Sequence, residues 1–408
     1  MTDTSVRIRG RTTRERRIAE QAAQQVAQRE PQSALPSRAR MPDLSALTGL
    51  LAQSGELRAL VDRYRTVREG RVGQGLRHVT YAAMPHGAKS FLAAALAIAS
   101  DERLVWIARD SEIADRVAEE LQAWLGDPAL VVTLEPRTSL AYERSELIRD
   151  ESAARVASLS AWREGRPRVL VASVQALFQH TLAPSELPEQ PLTLRPRQRI
   201  AQERVLRALI DLGYEALPEV AGRGEFARRG GIVDVFPAGQ PLPVRVEWFG
   251  DEIESLRAFD PATQRGLSPA DAVSLLPASE FLVGADAGKN LRERLGPAVA
   301  KLPADLAADL AHLEQGQLAD AAEVWAGHLA PATGLEHLGD EIWVIDEPGD
   351  VAASTDFLWT QADERRAELE RAGILPKTWP AAYPAQREWK ARLNAARTLE
   401  LTWESEVD

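Results

Sequence analysis

The 408-residue chain contains no cysteine, which excludes disulfides, thiolate metal sites and cysteine nucleophiles. It has six histidines, at positions 78, 86, 180, 312, 328 and 337, with no close ligand spacing, so no metal site is expected. No G-x-S-x-G elbow is present, which leaves little scope for acyl transfer. No apolar run approaches the roughly 20 residues of a membrane span, and the start has no signal-peptide apolar core, so a cytoplasmic protein is expected. Lysine is scarce, since 44 of the 49 basic residues are arginine. The net charge of −11 disfavours binding of nucleic acid by the whole surface and leaves that role to local patches. No internal repeat or long low-complexity tract is evident.

What is present divides the chain. Residues 1–46 hold nine arginines against five acids and few large apolar residues, the composition of a flexible basic arm. From 47 the pattern alternates strand and helix: strands at 76–82, 104–108, 130–134 and 168–173, helices at 91–100, 111–125 and 151–164. That alternation predicts an α/β domain with a parallel sheet covered on both faces. Pro184, Pro188, Pro191 and Pro196 interrupt it. A small α+β insertion is expected at 191–270, with the α/β domain occupying 47–190 and resuming over 271–408. The second part carries helices over 305–329 and 354–372 and strands at 342–345 and 397–403.

Within the insertion, Gly224 to Phe236 (GEFARRGGIVDVF) and Val244 to Asp260 (VRVEWFGDEIESLRAFD) read as an antiparallel β-meander. Val244, Val246 and Trp248 alternate with Arg245, Glu247 and Phe249, which defines two faces, and Gly250-Asp251 supplies a turn. Arg228-Arg229-Gly230-Gly231 combines two guanidiniums with a permissive backbone, suited to a carboxylate-bearing partner surface. A solvated strand edge is the plainer reading of the same residues.

Strand, loop and helix at 76–100 have the layout of a phosphate-binding loop, but the loop reads Ala83-Met-Pro-His-Gly-Ala-Lys-Ser90. Lys89 and Ser90 are in register with G-x-x-x-x-G-K-S/T, whereas Ala83 and Ala88 replace both glycines and Pro85 lacks an N–H. A Cβ at those positions is expected to close the phosphate cradle. Asp346 and Glu347 end an apolar strand, where an intact motor would place its magnesium and water ligands. Two readings follow: a structural relic, or a DNA-dependent ATPase or helicase lobe using ATP and magnesium through Lys89, Ser90, Asp346 and Glu347.

The meander resembles the inserted domain of the UvrB/Mfd family. There, G-x-F-x-x-R-G-G-I-hydrophobic-D-hydrophobic-F-P precedes hydrophobic-R-hydrophobic-E-aromatic-F-G-D-E-I-E and F-D-x-x-T-Q-R; here the series ends at Arg265. The lead-in at 206–220 and the stretch at 341–405 (DEP, LWTQADERRAEL, RTLELTWES) are similar too. The resemblance covers about 47–408 and implies a degenerate helicase-type domain interrupted by a UvrB-interaction-type domain. It further implies binding of the excision-repair protein UvrA by a non-catalytic module without cofactor. Arg229 falls at the arginine of the family's R-G strand and Arg223 at a basic position before G-x-F, with Arg228 beside them. UvrB carries further arginines where this chain has Ala227 and Ala216. The degenerate loop is similar to the coupling-factor branch, whose longer chains add an RNA-polymerase-binding domain and a DNA translocase. By that resemblance the chain is expected to correspond to the amino-terminal portion. The family's damage-gripping hairpin is aromatic-rich, whereas the corresponding 135–150 has Tyr142 alone, so damage verification by stacking is not expected.

Overall fold

Runs of five apolar residues without alternation fit strands buried on both faces. The computed structural model, which describes residues 42–70, 77–283, 287–318 and 320–404, builds its larger sheet from such runs. The described chain passes through helices α1 (Ser45–Leu51) and α2 (Gly55–Arg68). It then winds through β1 (His78–Tyr81), α3 (His86–Ala99), β2 (Leu104–Ala108), α4 (Ser111–Leu125), β3 (Val131–Leu134), α5 (Arg149–Arg163) and β4 (Val169–Ser173). A short helix α6 (Val174–Phe178) and strand β5 (His180–Thr181) follow. The excursion contains β6 (Leu192–Leu194), α7 (Gln202–Asp211), β7 (Glu215–Ala216), β8 (Glu225–Arg229), β9 (Ile232–Val235), β10 (Val244–Phe249), β11 (Glu252–Phe259), β12 (Gly266–Pro269) and β13 (Val273–Leu275). Helices α8 (Ala287–Leu295), α9 (Ala304–Leu313) and α10 (Ala322–Leu329) lead through β14 (Ala332–Thr333) to β15 (Ile342–Asp346), α11 (Pro348–Arg371), α12 (Gln386–Ala395) and β16 (Arg397–Leu401).

The first sheet has the order β1-β16-β15-β2-β4-β3 and every pairing in it is parallel. Side chains alternate between two cores. Leu104, Trp106, Val169, Val171, Ile342 and Val344 face α2, α3 and α4, while Val105, Ile107, Leu170, Ala172, Trp343 and Ile345 face α5, α6, α11 and α12. The two strands added after the excursion, β15 and β16, lie inside this sheet, so its centre forms only when distant parts of the chain meet. Local capping fixes where helices start: Asp110 accepts the Ile113 N–H at 2.9 Å ahead of α4, and Ser173 accepts the Ala176 N–H at 3.2 Å ahead of α6.

Three starts differ from the sequence expectation. Helix α3 begins at His86 and not at 91, because Pro85 serves as its N-cap and the loop residues 86–90 join the helix. Helix α11 begins at Pro348 and not at 354, since proline is at ease in the first turn of a helix. The expected arm lies outside the described residues as far as 41. Its expected end at 46 overlaps α1, and the Leu44 N–H donates to the Ala123 carbonyl at 2.9 Å.

The excursion forms a second sheet of order β12-β11-β10-β9-β8-β7, antiparallel except for the short β7–β8 pair. Helix α7 covers one face, where Val205 and Leu209 pack with Phe226, Val233, Val246, Trp248, Ile253 and Leu256. Strands β6 and β13 pair at its base.

The return from the excursion is fastened by buried charge. Glu280, with no exposed surface, accepts from Arg155 Nε at 2.7 Å and from Arg137 Nη1 at 2.5 Å. Arg137 Nε also donates to Glu323 of α10 at 2.6 Å, and the Glu280 N–H donates to Ser152 Oγ at 2.8 Å. Burial drives the Glu280 carboxyl upward, but Arg137 and Arg155 outweigh it and hold the group below the usual carboxylate range. Among the described residues no helix is long and apolar enough to cross a membrane.

Candidate functional site

Strand register sorts the insertion's polar residues by face. Arg229 lies opposite Ile232 and Ile232 opposite Glu247; Ala227 lies opposite Asp234 and Asp234 opposite Arg245. These rows share the face not covered by α7, and Phe249, two residues beyond Glu247 on β10, extends it. Phe249 is 81% exposed, the most exposed large apolar side chain among the described residues. The β8–β9 and β10–β11 turns run through Gly230 at φ +61° and Gly250 at φ +63°, a conformation in which glycine avoids a Cβ penalty.

The three arginines singled out in the sequence do not form one cluster. Arg229 donates through Nη2 to the Pro218 carbonyl at 3.0 Å and to Glu219 at 3.2 Å. Arg228, adjacent in a strand, points to the opposite face and reaches Glu203 of α7 at 3.3 Å. Arg223 precedes β8, donates to Asp150 of α5 at 2.8 Å and lies 5.0 Å over the Phe236 ring, so it bridges the insertion to the parent domain. From Arg223 to Arg229 an extended chain spans up to roughly 20 Å at 3.3 Å per residue.

Arg245 was not singled out by sequence. It pairs bidentately with Asp234 at 2.7 and 2.8 Å, and this bond raises its already high pKa. Phe249 was placed by alternation on the face of Arg245 and Glu247 but given no role. A large aromatic left outside beside an Arg-bearing face was the available signal.

The loop's lysine and serine both bond within the chain. Lys89, 1% exposed, donates through Nζ to Asp346 Oδ1 at 2.8 Å and to Glu347 Oε1. Ser90 Oγ donates to Glu120 at 2.5 Å and accepts the Trp124 indole N–H at 3.2 Å. Three of the loop amides are in use: Ala83 N–H donates to the Glu404 carbonyl at 3.0 Å, Met84 N–H to the Thr402 carbonyl at 2.9 Å and Ala88 N–H to the Pro85 carbonyl at 2.9 Å. The expectation that alanine closes the cradle through φ is corrected at one position. Ala83 keeps the glycine-like φ of +55°, a strain of about 1–2 kcal/mol, while Ala88 lies inside α3.

Glu347, at φ +54°, completes the arrangement. It accepts from Thr402 Oγ1 at 3.0 Å and from the Trp403 N–H at 3.0 and 3.2 Å. Burial raises its carboxyl, but the bonds from Lys89, Thr402 and Trp403 prevail and leave it below the usual range. The segment leaving β16 is thereby strapped across the loop, beside a cavity of about 310 Å³ lined by His86, Arg109, Asp350 and Trp403.

In this arrangement nucleotide and magnesium would have to displace the internal partners of the serine, the lysine and three loop amides. His86, Asp346 and Glu347 present ligand atoms within 4.8 Å of one another, a donor set for a divalent cation, but the Lys89 ammonium already bonds to both carboxylates. Tyr142, the sole aromatic of 135–150, is 4% exposed and donates its hydroxyl to the Pro380 carbonyl at 2.8 Å, which removes it from any stacking surface.

The described geometry agrees with what the chain resembles. Residues 192–281 match the family model of the UvrB interaction domain. The chain is 33% identical over 178 residues to the transcription-repair-coupling factor of Escherichia coli (strain K12), covering 44% of this chain and 15% of that protein. The corresponding protein of Myxococcus xanthus is 35% identical over 188 residues, 44% of this chain and 16% of the relative. UvrABC system protein B of Bacillus velezensis is 35% identical over 153 residues, 37% of this chain and 23% of the relative. The aligned parts thus cover less than a quarter of each of these relatives. A parallel helicase-type sheet interrupted by an antiparallel domain, with residues 192–281 matching the UvrB interaction domain, makes this chain similar over part of its length to transcription-repair-coupling factors and UvrB.

Proposed function

We propose that the chain is a non-catalytic docking module of nucleotide excision repair that recruits a UvrA-type partner through the inserted domain. The observation that carries the reading is the sheet face on which exposed Arg229 and Phe249 flank the half-buried Arg245, within the stretch that matches an interaction domain. Aromatic and arginine side chains supply most of the energy in protein interfaces. The internal pair of Arg229 with Glu219 is solvent-exposed and contributes about 0–1 kcal/mol, so a partner carboxylate can displace it. Charge-assisted bonds to that partner are each worth roughly 1.5–3 kcal/mol.

Arg229 is the central contact in this proposal, Arg223 a flanking one, and Arg228 a neighbour on the opposite face. The domain limits of 47–190, 191–270 and 271–408 belong to the same proposal. No residue is assigned here to RNA polymerase, a contact the resemblance ties to longer chains. In the relic loop Lys89 serves as an internal counter-ion and not as a phosphate ligand.

Two assays test the reading together. Arg229→Ala combined with Arg223→Ala abolishes co-purification with UvrA while circular dichroism and melting temperature hold, and phosphate release stays at background with or without DNA. Undiminished capture by the double variant rejects the site. ATP turnover removed by Lys89→Ala rejects the non-catalytic assignment.

A further inference from the structure

Helix α7 and the turn that precedes it have a different chemistry. Between 195 and 207 there are five arginines and one acid, in a chain whose net charge is −11. Arg195, Arg197, Arg199, Arg204 and Arg207 are all exposed. Arg199 has Glu252 at 3.5 Å. Among the described residues the guanidiniums of Arg195, Arg197, Arg204 and Arg207 take part in no ion pair or hydrogen bond.

Arg197 is the telling member. Residues 195–198 form a turn in which the Gln198 N–H donates to the Arg195 carbonyl at 3.2 Å, with Pro196 second and Arg197 third. Arg197 has φ +65°, the left-handed value that this turn position demands and that glycine or asparagine meets with least strain. Its backbone is held there by the bond from its N–H to the Ile253 carbonyl at 2.7 Å. A long charged side chain at a position suited to glycine, and with no partner inside the molecule, points to a partner outside it.

The arrangement of the other arginines identifies that partner's class. Arg204 and Arg207 are neighbours on α7, whose Gln202, Val205 and Leu209 face inward, and the turn arginines precede the helix. The cations therefore follow the chain from turn to helix as a linear series. The groove bordered by Arg197 and Arg199 is lined by the ring of Phe249 and by Asp251, Glu252 and Glu254, whose carboxylates repel an anion from its floor and restrict it to the arginine rim. Arg204 and Arg207 have no exposed aromatic on their part of the helix to anchor a protein interface, whereas a phosphate backbone needs only spaced cations.

We propose that Arg195, Arg197, Arg204 and Arg207, on α7 and the turn that precedes it, bind the phosphodiester backbone of nucleic acid without sequence preference. Binding is weak and salt-dependent: about four phosphate contacts give a slope of log K against log salt near −3.6.

The test is fluorescence anisotropy of a labelled mixed-sequence DNA duplex with the full chain across a salt series. Arg197→Gly is the informative variant, because glycine relieves the turn. Its melting temperature is expected to hold or rise while affinity falls and the salt slope drops by about one unit. Replacing all four arginines by glutamine removes binding and leaves UvrA capture intact. The proposal fails if wild-type chain does not bind the duplex at low salt, or if Arg197→Gly leaves affinity and slope unchanged. It also fails if the four-arginine variant loses UvrA capture but retains DNA, which would assign this face to a protein.

Discussion

Lys89 stands where a phosphate loop has its lysine and pairs with two acids of the same chain. In a working phosphate loop the lysine needs a free ammonium and glycines that open the backbone around it. Here the ammonium is buried between Asp346 and Glu347, and the carbonyls of Thr402 and Glu404 take the loop amides. Lys89→Met leaves two carboxylates without their cation and is expected to cost about 3–5 kcal/mol in urea denaturation. Adding Asp346→Asn and Glu347→Gln recovers most of that loss. A lysine reserved for nucleotide would give the opposite result, with little change in stability on substitution. The lysine, serine and two acids were legible in the sequence as motif residues. Their direct pairing was not, because Lys89 and Asp346 are 257 positions apart and only the insertion of β15 into the sheet joins them.

At the scale of elements, the parallel strands were the most legible part. Leu104–Ala108 and Val169–Ser173 are buried at every position, so their apolar runs left no alternation to misread. Helix starts were less legible, since Pro85 and Pro348 initiate helices where proline also signals a break. The faces of β8 could have been read further, because neighbouring strand residues must diverge and Arg228 and Arg229 therefore cannot contact one flat partner together. No sequence pattern announced the clamp at Glu280, which depends on Arg137 from a loop, Arg155 from α5 and Glu323 from α10 arriving together. Removing its carboxylate in Glu280→Ala strands two buried guanidiniums and is expected to destabilise the chain by about 3–5 kcal/mol. The clamp also sets an acid limit. Glu280's folded pKa is depressed, so its contribution is full above the ordinary glutamate value of 4.5 and is lost as pH falls through the lower folded value. Stability measured against pH should therefore decline less steeply below 4.5 in Glu280→Gln than in wild type.

At the scale of the molecule, an α/β domain with a fastened phosphate loop carries a sheet whose two faces differ in chemistry. One face presents exposed Arg229 and Phe249 beside half-buried Arg245; on the other lies α7, which carries Arg204 and Arg207 without internal partners. The central claim is that the first face binds UvrA. Isothermal titration of the full chain against UvrA tests it most directly, comparing wild type with Arg229→Ala/Phe249→Ala and with Arg228→Ala on the opposite face. The account predicts about a hundredfold weaker binding for the double variant, equivalent to roughly 2.7 kcal/mol, and a change below tenfold for Arg228→Ala, with melting temperatures unchanged. Equal affinities for wild type and the double variant would contradict it.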